Sequence, residues 1–207
     1  MKLLIMGPQG SGKGTVAREL SKILNIPTIS TGDLFRNIIN SGSELGKKLK
    51  SIMDAGPLVP DDLTEDILKQ RLAEKDCKKG YILDGFPRSI SQMQLLKKIT
   101  QVDKVLYLDV DYDTVIDRIG GRRTCPKCGY IHNIKFAGDP ENCSQCGTKY
   151  VTRSDDTEEA IKKRLETFQQ QTIPVVEYFR KKNLVIDIDA SKDPEHTLKQ
   201  ILKGLGK

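Results

Sequence analysis

Four apolar runs punctuate the chain, at Leu3-Leu4-Ile5-Met6, Tyr81-Ile82-Leu83, Val105-Leu106-Tyr107-Leu108 and Leu184-Val185-Ile186, with a weaker one at Ile26-Pro27-Thr28-Ile29-Ser30. Their apolar residues continue without alternation, the pattern of parallel strands covered on both faces. The later three give way to Asp84, to Asp109, and to Asp187 with Asp189, which apart from Asp84 read as caps or turn residues. Between the runs the period becomes helical. Val16, Leu20, Ile23 and Leu24 share one face of a helix after the first run. Ile161, Leu165, Phe168 and Val175 form a stripe on a long helix from residue 157, which Pro174 should bend or break. Arg164 falls at the edge of that stripe, and Arg118 bears the same relation to Val115 and Ile119. Strands separated by helices predict a doubly wound α/β core, with ligands at the carboxyl ends of the strands.

Residues 31–60 depart from this rhythm. Helical segments at about 33–40 and 44–54 flank Asn40-Ser41-Gly42-Ser43, and Thr31 or a neighbour can cap the first. Ala55-Gly56-Pro57-Leu58-Val59-Pro60 is a stiff breaker, after which Asp61 or Asp62 caps a helix to about residue 73. The stretch reads as a small insertion between a strand and its next core helix.

Composition narrows the class. A chain of 207 residues with 37% apolar and 30% charged residues can bury one good core and carry small insertions. No apolar run approaches the ~20 residues of a membrane span, and Met1-Lys2 enters its apolar stretch without a signal-peptide layout, so the expected compartment is the cytoplasm. The net charge of +6 suits polyanionic ligands, but there is no dense basic block and no Trp, which disfavours a single-strand stacking platform.

The chemistry starts at Gly7-Pro8-Gln9-Gly10-Ser11-Gly12-Lys13-Gly14-Thr15, between the first apolar run and the first helix. Glycines let backbone N–H groups converge on an anion, the helix N-terminus adds positive potential, and Lys13 adds a full charge. Gly14 separates Lys13 from Thr15, where the generic phosphate loop has Ser or Thr directly after the lysine. Asp84, at the tip of a buried strand, suits a Mg²⁺ ion bridging phosphate oxygens. Cys125-Pro126-Lys127-Cys128-Gly129 and Cys143-Ser144-Gln145-Cys146-Gly147 are two knuckles with the spacing of a structural Cys₄ zinc site. Four sulfurs complete that shell, so His132 is not needed as a ligand, and Cys77 is a buried or incidental thiol. Gln92 lies four residues past Arg88, one helical turn away, and its amide can both donate to and accept from a base edge.

The segments Gly7 to Thr15, Thr31-Gly32 with Arg36, Asp84-Gly85-Phe86-Pro87-Arg88 and Gly121-Arg122-Arg123 together resemble the adenylate kinase family, over essentially the whole chain. In that family the inserted Gly14 is normal. The resemblance implies transfer of the γ-phosphoryl of MgATP to AMP, giving two ADP, on a five-stranded P-loop nucleoside monophosphate kinase core. That core would comprise 1–30, 61–120 and 157–207, with an AMP-binding insertion at 31–60 and a zinc-ribbon-like lid at 121–156. ATP would meet Gly10, Ser11, Gly12, Lys13, Gly14, Thr15, Arg118, Arg122, Ile131, His132 and Lys192, with Arg118 against the adenine and Lys192 acting through its backbone. AMP would meet Thr31, Gly32, Arg36, Pro57, Leu58, Val59, Gly85, Phe86, Pro87, Arg88, Gln92, Arg153 and Arg164. Lys13, Asp84, Arg88, Arg122, Arg153 and Arg164 would carry the transfer, while Arg123 reads as part of a solvated face. The implied partners are ATP, AMP and ADP, with no nucleic acid or membrane, and the implied state is a monomer. Spacing alone does not separate AMP from UMP or CMP, so a pyrimidine nucleoside monophosphate kinase stays open. A zinc-ribbon nucleic-acid-binding ATPase is the rival of a different class.

Overall fold

Strand β1 (Lys2–Met6) lies mid-sheet and delivers the glycine loop at its carboxyl end, from which α1 (Lys13–Leu24) departs. The computed structural model describes all 207 residues. The chain continues through β2 (Thr28–Ser30), α2 (Thr31–Asn40), α3 (Glu44–Ala55), α4 (Asp61–Leu72) and a 3₁₀ turn at Lys75–Lys79. β3 (Tyr81–Asp84), α5 (Ile90–Ile99), β4 (Lys104–Asp109) and α6 (Tyr112–Gly120) follow. A small antiparallel pair, β5 (Arg122–Thr124) and β6 (Ile131–Asn133), then leads through α7 (Ile134–Ala137) to α8 (Glu158–Thr167). The chain closes with α9 (Ile173–Arg180), β7 (Val185–Asp189) and α10 (Pro194–Gly204).

The five core strands are all parallel, in the order β2-β3-β1-β4-β7. Alternate residues of one strand enter opposite cores, which is why the runs lack polar positions. Leu4, Met6, Leu83 and Val105 pack with Met93, Leu96, Val175, Val176 and Phe179 from α5 and α9. Leu3, Ile5, Ile82, Leu106 and Leu108 pack with Val16, Ala17, Leu20 and Ile201 from α1 and α10. The doubly wound expectation therefore holds.

Several local expectations need correction. β7 runs through Asp187 to Asp189 rather than stopping at Ile186, because it pairs only with β4 and leaves its other edge open. Asp109 likewise lies within β4, and the cap of α6 is Asp111, whose side chain accepts from Thr114 N. Only Asp189 behaves as a turn residue, accepting from Ser191 N at 2.9 Å. Pro60, not an aspartate, is the N-cap of α4; Asp61 and Asp62 sit in its first turn, where their charge opposes the helix dipole's positive end. Helical backbone continues past Pro174, which lies in the first turn of α9. A π-helical turn at Phe168–Thr172 separates α8 from α9, and Ile173 N bonds back five residues to Phe168 O. That wide turn precedes the one residue with no N–H to give.

The insertion has its own small core, in which Phe35, Leu49 and Val59 gather Ile38, Ile52, Met53 and, from α4, Leu63 and Ile67. A separate cluster of Cys125, Cys143 and Tyr150 holds the segment after β5. No helix is long and apolar enough to cross a membrane.

Candidate active site

A cavity of about 400 Å³ opens above the carboxyl ends of β1 and β3. It is lined by eight basic side chains, six of them arginines, and three acidic ones, a balance that suits several phosphates in one enclosed space. The floor is the glycine loop. Gly10 and Gly12 have φ of 80° and 90°, and Gly12 is the N-cap of α1, so the helix's first amides are directed at the cavity. Lys13 Nζ donates to Gly7 O at 2.8 Å and Pro8 O at 2.7 Å. Burial lowers the Lys13 ammonium to about 8, against the opposing attraction of Asp84, with Arg88 and Arg122 adding to the depression. Gly14 has a direct structural reason, because a Cβ there would meet Ile131 Cδ1 of β6 at 3.2 Å. The segment after β5 is seated on the loop through that residue.

On the opposite side, β3 ends in Asp84. Burial raises its carboxyl, with Lys13 and Arg88 opposing, and the side chain has no hydrogen bond or ion pair within the protein. Its free oxygens and the neighbouring loop are the hard-donor setting a Mg²⁺ ion requires. Gly85 has φ 82°, and a Cβ there would lie 2.8 Å from both Arg88 Nη2 and Thr31 Oγ1. Thr31 Oγ1 donates to Gly85 O at 2.9 Å, and Ser30 caps α2 by accepting from Asp33 N. Arg88 Nε donates to Gly85 O at 2.7 Å, and its guanidinium is lowered by burial. Arg88 precedes α5, so helical spacing does not join it to Gln92. Instead Gln92 Oε1 accepts from Arg88 N at 2.8 Å, leaving the amide NH₂ without a protein partner in this wall. Arg36 pairs with Asp33 at 2.6 Å, and Gly32, Pro57, Leu58, Val59, Phe86 and Pro87 complete the wall.

The roof brings in the arginines. Arg122 chelates Asp156, whose side chain is only 2% exposed, through Nε at 2.9 Å and through Nη2. Arg164 grips Asp155 Oδ2 at 2.5 Å and Met53 O at 2.9 Å. Burial would raise Asp155, but Arg164 beside it holds the carboxyl below its ordinary value. Arg153 donates to Thr124 Oγ1 at 3.0 Å; burial, then the neighbouring Arg36 and Arg122, lower it to about 10. Mutually repelling buried guanidiniums are a site arranged for an anion.

Arg118 lines the cavity, as its place at the edge of the α6 stripe implied, but its guanidinium is already engaged by protein. Its guanidinium donates to Ala190 O, Ser191 O and Lys192 O, tying down the loop after β7, and lies 6.0 Å from the Phe136 ring. Lys192 therefore lines the cavity with its carbonyl already engaged. His132 is buried at the cavity wall; its ring stacks on Tyr150 at 5.3 Å and its Nε2 lies 2.7 Å from Gly138 O, so its side chain is engaged within the segment after β5. Arg123 faces Asp139 outside the cavity. Sequence reasoning missed Gln9, Phe136, Asp155 and Asp156. The acidic pair two residues after Arg153 was the available signal; Phe136, 64% exposed and beside the cavity, left none.

The four knuckle sulfurs lie within 4.8 Å of one another, with 3.4 Å between Cys125 and Cys146 and 3.6 Å between Cys128 and Cys143. A tetrahedral tetrathiolate zinc with Zn–S of about 2.3 Å has sulfur–sulfur edges of about 3.8 Å, so the set fits. These separations are too long for disulfides, and all five cysteines are free. Gly129 and Gly147, with φ of 69° and 72°, close the knuckles by donating to Cys125 O and Cys143 O. Tyr150 Oη is buried without a partner beside Cys143, where a hydroxyl can support a thiolate. Cys77 stays apart, buried against Arg71 Nη1 at 3.0 Å.

A family model described as adenylate kinase matches residues 5–184. The chain is similar to an adenylate kinase of Syntrophotalea carbinolica, 45% identical over 213 residues spanning 100% of this chain and 99% of that one. It is 47% identical to an adenylate kinase of Treponema denticola over 200 residues, 96% of each chain. To one of Thermosipho melanesiensis it is 44% identical over 209 residues, 98% of each.

Proposed function

The chain belongs to the adenylate kinase family, and from that premise we propose how its cavity moves a phosphoryl group reversibly from MgATP to AMP. The observation that carries the reading is the excess of half-buried arginines lining one cavity between two walls, one built on Lys13 and the other on Arg88. Phosphoryl transfer needs alignment and charge compensation more than covalent chemistry. Gly10 to Thr15 cradle the donor phosphates by backbone N–H, and Lys13 turns from loop carbonyls to phosphate oxygens. Arg36 and Arg88 hold the AMP phosphate bidentately. Thr31, Gly32, Pro57, Leu58, Val59, Gly85, Phe86 and Pro87 frame the nucleoside, and the Gln92 NH₂ donates to the adenine edge. Arg122, Arg153 and Arg164 compensate the charge of the group in flight. Arg118 with Phe136, Ile131 and the loop at Lys192 receives the ATP base, and His132 contributes only through backbone.

Asp84 would hold a Mg²⁺ ion, which would supply charge neutralisation to the phosphates. Cys125, Cys128, Cys143 and Cys146 would hold zinc with four sulfurs, a donor set that suits a structural rather than a catalytic role. Residues 31–60 and 121–156 act as mobile flaps on a core of 1–30, 61–120 and 157–207, and their closure excludes water as a competing acceptor. The protein works as a cytoplasmic monomer on ATP, AMP and ADP, without nucleic acid or membrane. The absence of a dense basic block supports the last point. A coupled assay of ATP consumption with AMP, UMP, CMP or GMP tests the reading. Consumption should require AMP; a preference for UMP or CMP, or stimulation by RNA or DNA, would refute it.

A further inference from the structure

Gln9 lies in the glycine loop, yet its amide bonds away from it. Nε2 donates to Asp156 Oδ1 at 3.0 Å, and Oε1 accepts from Arg164 Nη1 at 3.2 Å. Asp156 is the carboxylate that chelates Arg122, and Arg164 is the guanidinium paired with Asp155. One neutral side chain thus joins the acidic member of one buried ion pair to the basic member of another. Only a group that both donates and accepts can do this. A glutamate would set an acceptor against Asp156, a lysine would set donors against Arg164, and a methionine would fill the space with neither bond.

We propose that Gln9 is a positioning residue for phosphoryl transfer, fixing Arg122 and Arg164 to the phosphate loop through Asp156 and through its own amide oxygen. The inference rests on the reading of those two arginines as stabilisers of the transferring group. Charge stabilisation depends on guanidiniums standing in place before the reaction, so a small displacement costs rate. The loop then registers the arrival of residues 153–156 directly, since Asp156 and Asp155 belong to the segment that descends on it. Gln9 makes its bonds to protein rather than nucleotide, so its loss falls on kcat and spares KM.

The test is steady-state kinetics and melting of Gln9→Met and Gln9→Glu, each alone and with Arg164→Ala. Gln9→Met should lower kcat about tenfold, the scale of one or two ordinary hydrogen bonds, with KM for ATP and AMP within about twofold. Gln9→Glu, which keeps the shape of the native side chain, should lose more because its carboxylate opposes Asp156. In the Arg164→Ala background Gln9→Met should cost markedly less than in the wild type, because part of what it positions is gone. A kcat within twofold of wild type in both single variants would overturn the proposal. So would a raised KM for ATP at unchanged kcat, or full additivity with Arg164→Ala. If the reading of the arginines is at fault, Arg164→Ala alone leaves kcat near wild type; if only Gln9 is misread, Arg164→Ala loses transfer and Gln9→Met does not.

Discussion

A buried lysine in a phosphate loop has a cost that its ligand removes. With its pKa lowered to about 8 against an ordinary 10.5, Lys13 holds fewer protons in the folded protein than in the unfolded chain between those values. Its contribution to stability therefore rises with pH across that window, and the penalty for burying the ammonium is fully present below pH 8. ATP phosphates favour the charged form, so binding at pH 9 should take up a proton, whereas binding at pH 7 should not at this group. Calorimetry in buffers of different ionisation enthalpy reads the difference directly. Lys13→Ala should lose transfer by several orders of magnitude, and a near-wild-type rate would refute its role. Arg88→Ala should raise KM for AMP about ten- to a hundredfold, the scale of lost charge-assisted hydrogen bonds, with ATP binding little changed. Unchanged AMP kinetics would refute that assignment. At this scale most of the site was legible, because Gly10 to Thr15 and Asp84 to Arg88 are contiguous in the chain. Gln9 and Asp156 were not, since their meaning lies in a contact across 147 residues.

Among the elements, the strand-loop-helix unit and the cysteine knuckles are local, and the chain order displays them. Each knuckle closes on its own glycine, so spacing alone foretold the sulfur cluster. Replacing Cys128 by Ser, or stripping metal with a chelator, should lower the melting temperature by several degrees. Equal melting with and without chelator would count against a structural metal. Gly14→Ala tests how β6 sits on the loop. The added methyl should press on Ile131 Cδ1 and raise KM for ATP about two- to fivefold, and Ile131→Ala in the same chain should relieve it. No relief would mean that the two do not meet during turnover. What the elements hid was register: the π turn at Phe168–Thr172, the run of β7 through two aspartates, and the cap at Pro60 all depend on neighbouring elements.

For the whole molecule, polar contacts join segments that are distant in the chain. Arg18 of α1 donates to Gly129 O at 2.9 Å and lies 5.1 Å from the Tyr130 ring, joining the core to the first knuckle. Ser154 Oγ donates to Asp54 Oδ1 at 2.9 Å, joining the segment after β5 to α3, and Arg164 of α8 reaches Met53 O of the same helix. Uninterrupted apolar runs determined the parallel sheet, because a strand buried on both faces leaves no polar positions. Contiguous motifs likewise determined the phosphate loop, the Asp84–Arg88 wall and the sulfur cluster, because a loop or knuckle closes within a few residues. Only the tertiary structure decided which carboxylate each arginine answers to, that Arg118 grips a loop 72 residues away, and that Gln9 bridges two ion pairs. The reason is physical: a charge's partner is set by distance in space under low dielectric, and sequence separation says nothing about that distance.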